Sequence, residues 1–582
     1  MNRLLNNKSW WIILIIAFAA VIYISSFIHY RADLTQEKRF SLSNSTKELL
    51  AHLDSTITVQ VFLTGDLSAD YKKLSIATQE LLDEFKDHAG SNLRVKFERP
   101  GKNLDSDSSK MLLFDSLARL GVPFERKGVT VEEDKDVADQ FIIPAALVTY
   151  GKRKPFVIDL RSSKTVFKPY DVVNQNPEID IEATRNAAEA LLEFKFANAI
   201  DKLTRKKIPV VAYVVGNRQP IDRRINDLGE SLRNEYQLAV FNLKLSYPDP
   251  SQIDALIIAK PDTAFTDEDK LKLDQYVMHG GKIIWFIDKL FAEYDSLSRT
   301  NTQEFVAFDR NLNLDDILFK YGVRINSDLL QDLNCSKIPI VYDYNPDGSP
   351  KMQRHPFPYY PFLSGNTNNP ISKNLDRVLS LFPSTIDTVK APGIKKTVLL
   401  TSDTTSRTLA SPALVALQSV KTEEDFRSFN KAYLPVAVLL EGSFTSLYAN
   451  RISQQVKDSV QLQLRQPFAV VSPQTKQIVV SDADIVTNYV SQTNGPLAMG
   501  MIPYENYRFA NREFFLNCID YLVSNSSIFE SRSKEVTLRL LDKAKVESDR
   551  SKWQILNIGL PVAVVLLAGM VLQWLRKRKY AA

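Results

Sequence analysis

Asp482 and Asp484 flank Ala483 in the run Val480-Ser481-Asp482-Ala483-Asp484. Alternate side chains of an extended segment share one face, so the two carboxylates can converge on a cation through oxygen ligands. The same pair can instead end a strand and cap the helix that follows. Asp288 directly follows the apolar run 282–287 (KIIWFI), while Gly216-Asn217 and Lys260 follow the apolar runs 208–215 (IPVVAYVV) and 255–259 (ALIIA). If those runs are parallel strands, these residues stand at carboxyl ends, where α/β sheets bind ligands. Ordinary turn roles are the alternative. Tyr359 and Tyr360 lie in RHPFPYYPFL (354–363), which reads either as a surface patch that grips a partner or as a loop folded over a core.

Other chemistry is excluded by motif. GxGxxG, GxSxG, HExxH and CxxC do not occur. Gly495 and Gly500 have phosphate-loop spacing, but Met501-Ile502 replace the Lys-Ser/Thr that would grip phosphate. The five histidines (29, 52, 88, 279 and 355) are far apart, and the two cysteines, Cys335 and Cys518, are compatible with one bridge or two buried thiols. No cofactor, metal or catalytic residue is assigned.

The elements that position these groups alternate. Strand signals at 56–63 and 93–97, helices at 71–88 and 110–120, and a hairpin of 141–150 with 155–160 give β-α-β-α-β-β, a thioredoxin-like order without the redox pair. Ser45-Thr46-Lys47-Glu48 reads as a capping box ahead of these elements. A helix over 179–207, apolar at Leu192, Phe196, Ala199 and Leu203, joins this region to the next. There the near-continuous apolar strands, with helices at 224–236 and 266–279 between them, predict a doubly wound α/β domain. Residues 290–430 show little periodicity, and the Ser/Thr-rich 401–412 reads as flexible. Strands at 434–440, 468–471 and 477–480 and a helix at 512–524 close the domain.

Two stretches have membrane character. Residues 10–28 and 555–575 carry no charge; Trp10 and Trp11 suit an interface at one end of the first, and the second contains Pro561 and Trp574 before Arg576-Lys577-Arg578-Lys579. With Arg3 and Lys8 at the other terminus, the positive-inside rule puts both ends in the cytoplasm and the bulk outside it. Removing these six cations from 73 basic residues leaves 67 against 68 acidic. This neutral body gives no basis for nucleic-acid binding. The expected segments are a cytoplasmic 1–9, a span 10–28, a thioredoxin-like α/β domain 30–178, a linking helix 179–207, an α/β domain 208–530, a juxtamembrane helix 531–554, a span 555–575 and a cytoplasmic tail 576–582. Neither tail can hold an ATPase domain.

The segment Arg31-x-Asp33-Leu34-Thr35-x-Glu37-Lys38-Arg39-Phe40-Ser41-Leu42-Ser43 directly after the first span resembles the opening of the gliding motility-associated ABC transporter auxiliary family (GldG). Further similar stretches are Tyr276-Val277-x-x-Gly280-Gly281-Lys282, the aspartates 482 and 484, Asn511-Arg512-Glu513-Phe514-Phe515-Leu516-Asn517 and Leu556-Asn557-Ile558-x-Leu560-Pro561. The resemblance implies a non-catalytic, substrate-binding or auxiliary subunit in the inner membrane, a multispan ABC permease and a cytoplasmic ATPase as partners, and a glutamine amidotransferase-like α/β domain. Two alternatives from the residues themselves are a periplasmic enzyme acting on envelope glycans through Asp288, Asp482 and Asp484, and a structural tether gripping through Tyr359 and Tyr360.

Overall fold

The structure is a computed structural model. It describes residues 41–126, 141–166, 180–298, 303–524 and 543–580 apart from single positions within them, together with 15–16, 18–19, 528–529 and 532. The chain divides into two units, Met1–Lys534 and Glu535–Ala582.

In the first unit, Ile57–Val61 (β1), Leu93–Phe97 (β2), Ala145–Tyr150 (β3) and Phe156–Asp159 (β4) form a sheet ordered β2-β1-β3-β4. Only β1 and β2 are parallel. Strict alternation in β1 buries Ile57, Val59 and Val61. The helices Asn44–Ala51 (α1), Ala69–Ala89 (α2) and Asp107–Arg119 (α3) complete the expected element order. The cap of α1 is Ser43, whose Oγ accepts from Thr46 N, so the capping-box reading starting at Ser45 was two residues late. Ile181–Thr204 (α4) is capped by Asp180. It buries Leu192, Phe196, Ala199 and Leu203 against this sheet and α2. Its polar side carries Lys202, which pairs with Glu235 and with Asp520 at 2.7 Å, and Arg205, which donates to Ser524 Oγ at 2.6 Å.

A ten-stranded sheet follows. Its strands are Val210–Val215 (β5), Gln237–Asn242 (β6), Ala255–Ala259 (β7), Ile283–Phe286 (β8), Cys335–Tyr344 (β9), Pro350–Gly365 (β10), Ile394–Thr401 (β11), Pro435–Thr445 (β12) and Val471–Val480 (β13), in the order β9-β10-β11-β12-β13-β8-β7-β5-β6, with Val378–Leu379 beside β10. The five strands β6-β5-β7-β8-β13 run parallel. Numbered along the chain their order is 2-1-3-4-5, the flavodoxin-like arrangement, with a switch point between β5 and β7. One face packs Asn226–Glu235 (α5) and Asn511–Val523 (α7); the other packs Asp267–Met278 (α6). Successive residues explain the split: Ile284 and Phe286 face α7, while Ile283 and Trp285 face α6. Thr266 caps α6 reciprocally with Asp269. Mixed α/β architecture with a parallel-stranded sheet is thus as the sequence indicated.

Two expectations are corrected. RHPFPYYPFL is neither loop nor surface patch: it lies in β10, with Tyr359 fully buried and Tyr360 3% exposed. Residues 401–412 are ordered, because Ser406–Ala410 pairs antiparallel with Asp328–Asp332 and Asp332 accepts from Asp403 N and Ser406 Oγ. Both errors have one cause: proline-bearing and Ser/Thr-rich strands lack the alternation that marks a strand in sequence.

The second unit contains Lys543–Tyr580 (α8), in which Ser548–Arg578 is long and apolar enough to cross a membrane and none of its apolar window is buried. At ~1.5 Å per residue this stretch exceeds a ~30 Å hydrocarbon core. Pro561 is inside the helix, and Arg578 lies over the Trp574 ring at 4.5 Å. The first expected span, with Trp10 and Trp11, and the opening motif up to Phe40 lie outside the described residues but for four positions. One candidate membrane helix, not two, is therefore present among the described residues.

Gly442 in β12 has φ 149°, and a Cβ there would sit 2.0 Å from Gly393 O. A backbone oxygen cannot retreat as a side chain tip can, so Gly442→Ala should destabilise the first unit by about 1–3 kcal/mol. A lowered urea midpoint at unchanged slope is the expected result.

Candidate functional site

Parallel strands that end on one edge bring their terminal side chains together. Lys260 follows β7, Asp288 lies two residues beyond β8, and Asp482 and Asp484 follow β13. The sheet ladder extends just far enough to fix them: Lys260 N donates to Phe286 O at 3.0 Å, and Ile287 N to Val480 O at 3.0 Å. Lys260 takes left-handed backbone, φ 50°, immediately before Pro261, a conformation costly for a lysine. Its Nζ is 2.5 Å from Asp484 Oδ1 and 3.2 Å from Asp288 Oδ2.

The three carboxylates have oxygens within 4.8 Å of one another, the spacing of a cation site. The described residues contain no second group of this kind. Yet the ammonium of Lys260 already stands between two of them. Asp482 is wholly buried; its Oδ2 accepts from Ser380 Oγ at 2.5 Å and Leu381 N at 2.7 Å, and its Oδ1 accepts from Asp484 N at 2.7 Å. Asp288 Oδ1 accepts from Ala483 N at 2.6 Å. Burial, then the charges of Asp484 and Asp288, push the Asp482 carboxyl well above the aspartate range. Burial opposes ionisation of Asp484 too, but Lys260 and the Thr487 hydroxyl hold it below that range. Burial would neutralise Lys260, and Asp288 with Asp484 reverse that and raise it. Lys260 therefore already compensates charge within the donor set, and a divalent ion would have to displace it.

Further charges face this edge. Arg310 donates from Nη1 to Asp262 Oδ1 at 2.6 Å and from Nε to Leu290 O at 3.1 Å, and stacks 4.1 Å over Phe291. Glu293 is within electrostatic range of Lys260, and Arg224 of Glu293 and Asp484. A tyrosine wall adjoins them: Tyr360, in range of Asp484, neighbours Tyr294 at 6.3 Å and hydrogen-bonds Tyr504, which in turn is in range of Tyr489.

Of the residues singled out in the sequence, Asp288, Asp482 and Asp484 come together, and Tyr360 borders them without being available as an outward grip. Tyr359 is directed into the core, its hydroxyl donating to Leu414 O at 3.3 Å. Gly216 and Asn217 end β5 at the switch point, where Asn217 O accepts from Asp262 N at 2.9 Å; Gly216 has φ 127°. Sequence reasoning missed Arg310, Ser380 and the residues Tyr294, Tyr489 and Tyr504 that stand with Tyr360, which come from stretches without periodicity. Cys335 and Cys518 are both free and buried. Burial pushes the Cys335 thiol up to about 12 and raises the Cys518 thiol well above its ordinary value. Neither supplies a thiolate at neutral pH. Gly500 packs against Phe509 O, where a Cβ would sit at 2.7 Å, so it spaces backbone segments.

The profile described as an ABC-type uncharacterized transport system matches residues 183–518, more than half of the chain, and a domain of unknown function (DUF7088) matches 36–149. An uncharacterized protein of Borreliella burgdorferi is 20% identical over 593 aligned positions, covering 99% of both chains. Among solved structures, the mmIFT52 N-terminal domain is 13% identical, covers 54% of this chain and 98% of its own, and has a TM-score of 0.30. A ThuA-like protein from Parabacteroides merdae is 12% identical, with 55% and 91% coverage and a TM-score of 0.26. At such scores the fold is read from the strand order itself.

Lys260→Met would leave Asp288 and Asp484 without their cation, at an expected cost of about 3–5 kcal/mol near neutral pH. The Lys260 contribution through Asp484, whose folded value is depressed, is present above the ordinary aspartate value of 3.8 and lost as pH falls through the lower folded value. The gap between wild type and variant should accordingly narrow below about pH 4. Urea midpoints measured across pH 3–7 check this; a pH-independent gap would contradict it.

Proposed function

Because this chain belongs to the ABC-type uncharacterized transport system family, we propose that it is a non-catalytic auxiliary subunit of an inner-membrane ABC transporter, its α/β region held on the periplasmic side. The observation that carries this reading is that the chain has, besides a large α/β unit, the apolar stretch Ser548–Arg578, none of whose apolar window is buried. Apolar surface on that scale needs lipid or other membrane helices to cover it. The basic end Arg576-Lys577-Arg578-Lys579 keeps its terminus cytoplasmic. A second span at 10–28 would bring the other terminus to the same side. In this reading transport work is done by a separate ATPase acting through a multispan permease, the partners that an ABC-type transport system implies. A role in gliding motility is the finer reading and rests on the motif resemblance of the opening segment.

A non-catalytic role is supported by the chemistry of the sheet edge. Asp482 is engaged by three donors, Asp288 and Asp484 share Lys260, and both thiols are buried. No unengaged nucleophile or base faces the edge among these residues.

Affinity purification of the full chain from its own membranes in mild detergent tests the reading. A permease and an ATPase should co-elute in fixed proportion. Recovery of the chain alone, under conditions that keep other transporter complexes intact, would contradict it.

A further inference from the structure

We propose that the carboxyl edge of the parallel sheet, between Lys260, Arg310, Glu293 and the tyrosine wall, is a binding site for a neutral polyhydroxylated ligand of the saccharide class. The first observation is an incomplete hydrogen-bond set. Arg310 is 8% exposed, yet its Nη2 is buried without a hydrogen-bond partner. Glu293 Oε1, at 3.7 Å, is an ion-pair neighbour beyond hydrogen-bond reach. A buried guanidinium N–H is costly to leave unmade. Its bonds to Asp262 and to Leu290 O, each two residues beyond Lys260 and Asp288, place the guanidinium on the same edge as Lys260 and the aspartates.

The second observation is the charge pattern, which selects the ligand. Cations Lys260, Arg310 and Arg224 are interleaved with the carboxylates Asp262, Asp288, Asp484 and Glu293. An anion offered to Arg310 would meet four carboxylates, and a cation offered to them would meet Lys260 and Arg310. A hydroxyl meets neither penalty. It accepts from Arg310 Nη2 and donates to a carboxylate with the same oxygen, and a polyol repeats that pattern at adjacent carbons.

The third is aromatic surface. Tyr489 is 48% exposed, and Tyr294 and Tyr504 are half-buried beside it. Their rings offer an apolar face to the C–H side of a sugar ring while their hydroxyls remain polar. The place itself lies beyond the carboxyl ends of a 2-1-3-4-5 sheet, where such folds take ligands. Only side chains of the first unit form this site, which is independent of the transporter reading.

The test is calorimetry on the full chain in a detergent without a sugar headgroup. D-glucose, D-galactose, D-mannose, N-acetyl-D-glucosamine and their disaccharides are titrated beside acetate, phosphate and putrescine. At least one neutral saccharide should bind. Glu293→Gln and Tyr489→Ala change exposed rim positions and should keep the melting temperature; each should weaken that binding about tenfold or more. The proposal is overturned if no saccharide binds up to ~10 mM, if both rim variants bind as wild type does, or if a charged probe binds more tightly than every saccharide. A chain that binds no saccharide but still co-purifies with permease and ATPase would sink this site and leave the subunit reading intact.

Discussion

Three carboxyl groups whose oxygens lie within 4.8 Å of one another cannot all stay ionised without a cation among them. In this chain the constraint is met from within: Lys260 supplies the cation, and burial beside two charged neighbours raises the Asp482 carboxyl well above the aspartate range. The left-handed backbone of Lys260 is the conformational cost of that solution. A lysine with ordinary strand-end geometry would carry its ammonium along another path. The arrangement therefore depends on the parallel sheet, which alone brings the ends of β7, β8 and β13 to adjoining positions.

The same edge organises the region between β8 and β12. Asp482 fastens Ser380 and Leu381, and Ser481 Oγ donates to Ser384 O at 2.5 Å. Asp328 accepts from Thr385 N at 2.8 Å and Thr385 Oγ1 at 2.7 Å. Through these bonds a long insertion becomes a wall beside the strand ends, and its β10 contributes Tyr360. Asp482 thus acts on the fold by anchoring that wall, while Asp288 and Asp484 act on the open side through Lys260. Roles that look alike in sequence are separated by burial.

How much was legible follows from where periodicity survives. The apolar runs at 208–215, 255–259 and 282–287 have the continuous pattern that parallel, doubly covered strands require, and β5, β7 and β8 fall on them. Their order alone puts Gly216, Asn217, Lys260 and Asp288 at strand ends. The proline-bearing β10 and the short strands around Asp328 and Ser406 lack that signal, because local chemistry competes with alternation there. The pairing of Asp288 with Asp484 is 196 positions apart in sequence and needs β8 beside β13, a neighbour relation that no local pattern contains. The partner Arg310 is equally remote. What the chain does therefore had to be read from juxtaposition, and what it is attached to from hydropathy.

Membrane attachment and the sheet edge meet in one account. Ser548–Arg578 is long and apolar enough to cross a membrane, and the mixed-charge edge of the sheet is the place proposed for a ligand. At that edge Lys260 is energetically joined to the aspartates it lies between. A double-mutant cycle of Lys260→Met and Asp484→Asn, followed by reversible urea unfolding, measures that directly. Coupling above about 1 kcal/mol is predicted; effects that add to within ~0.5 kcal/mol would contradict it.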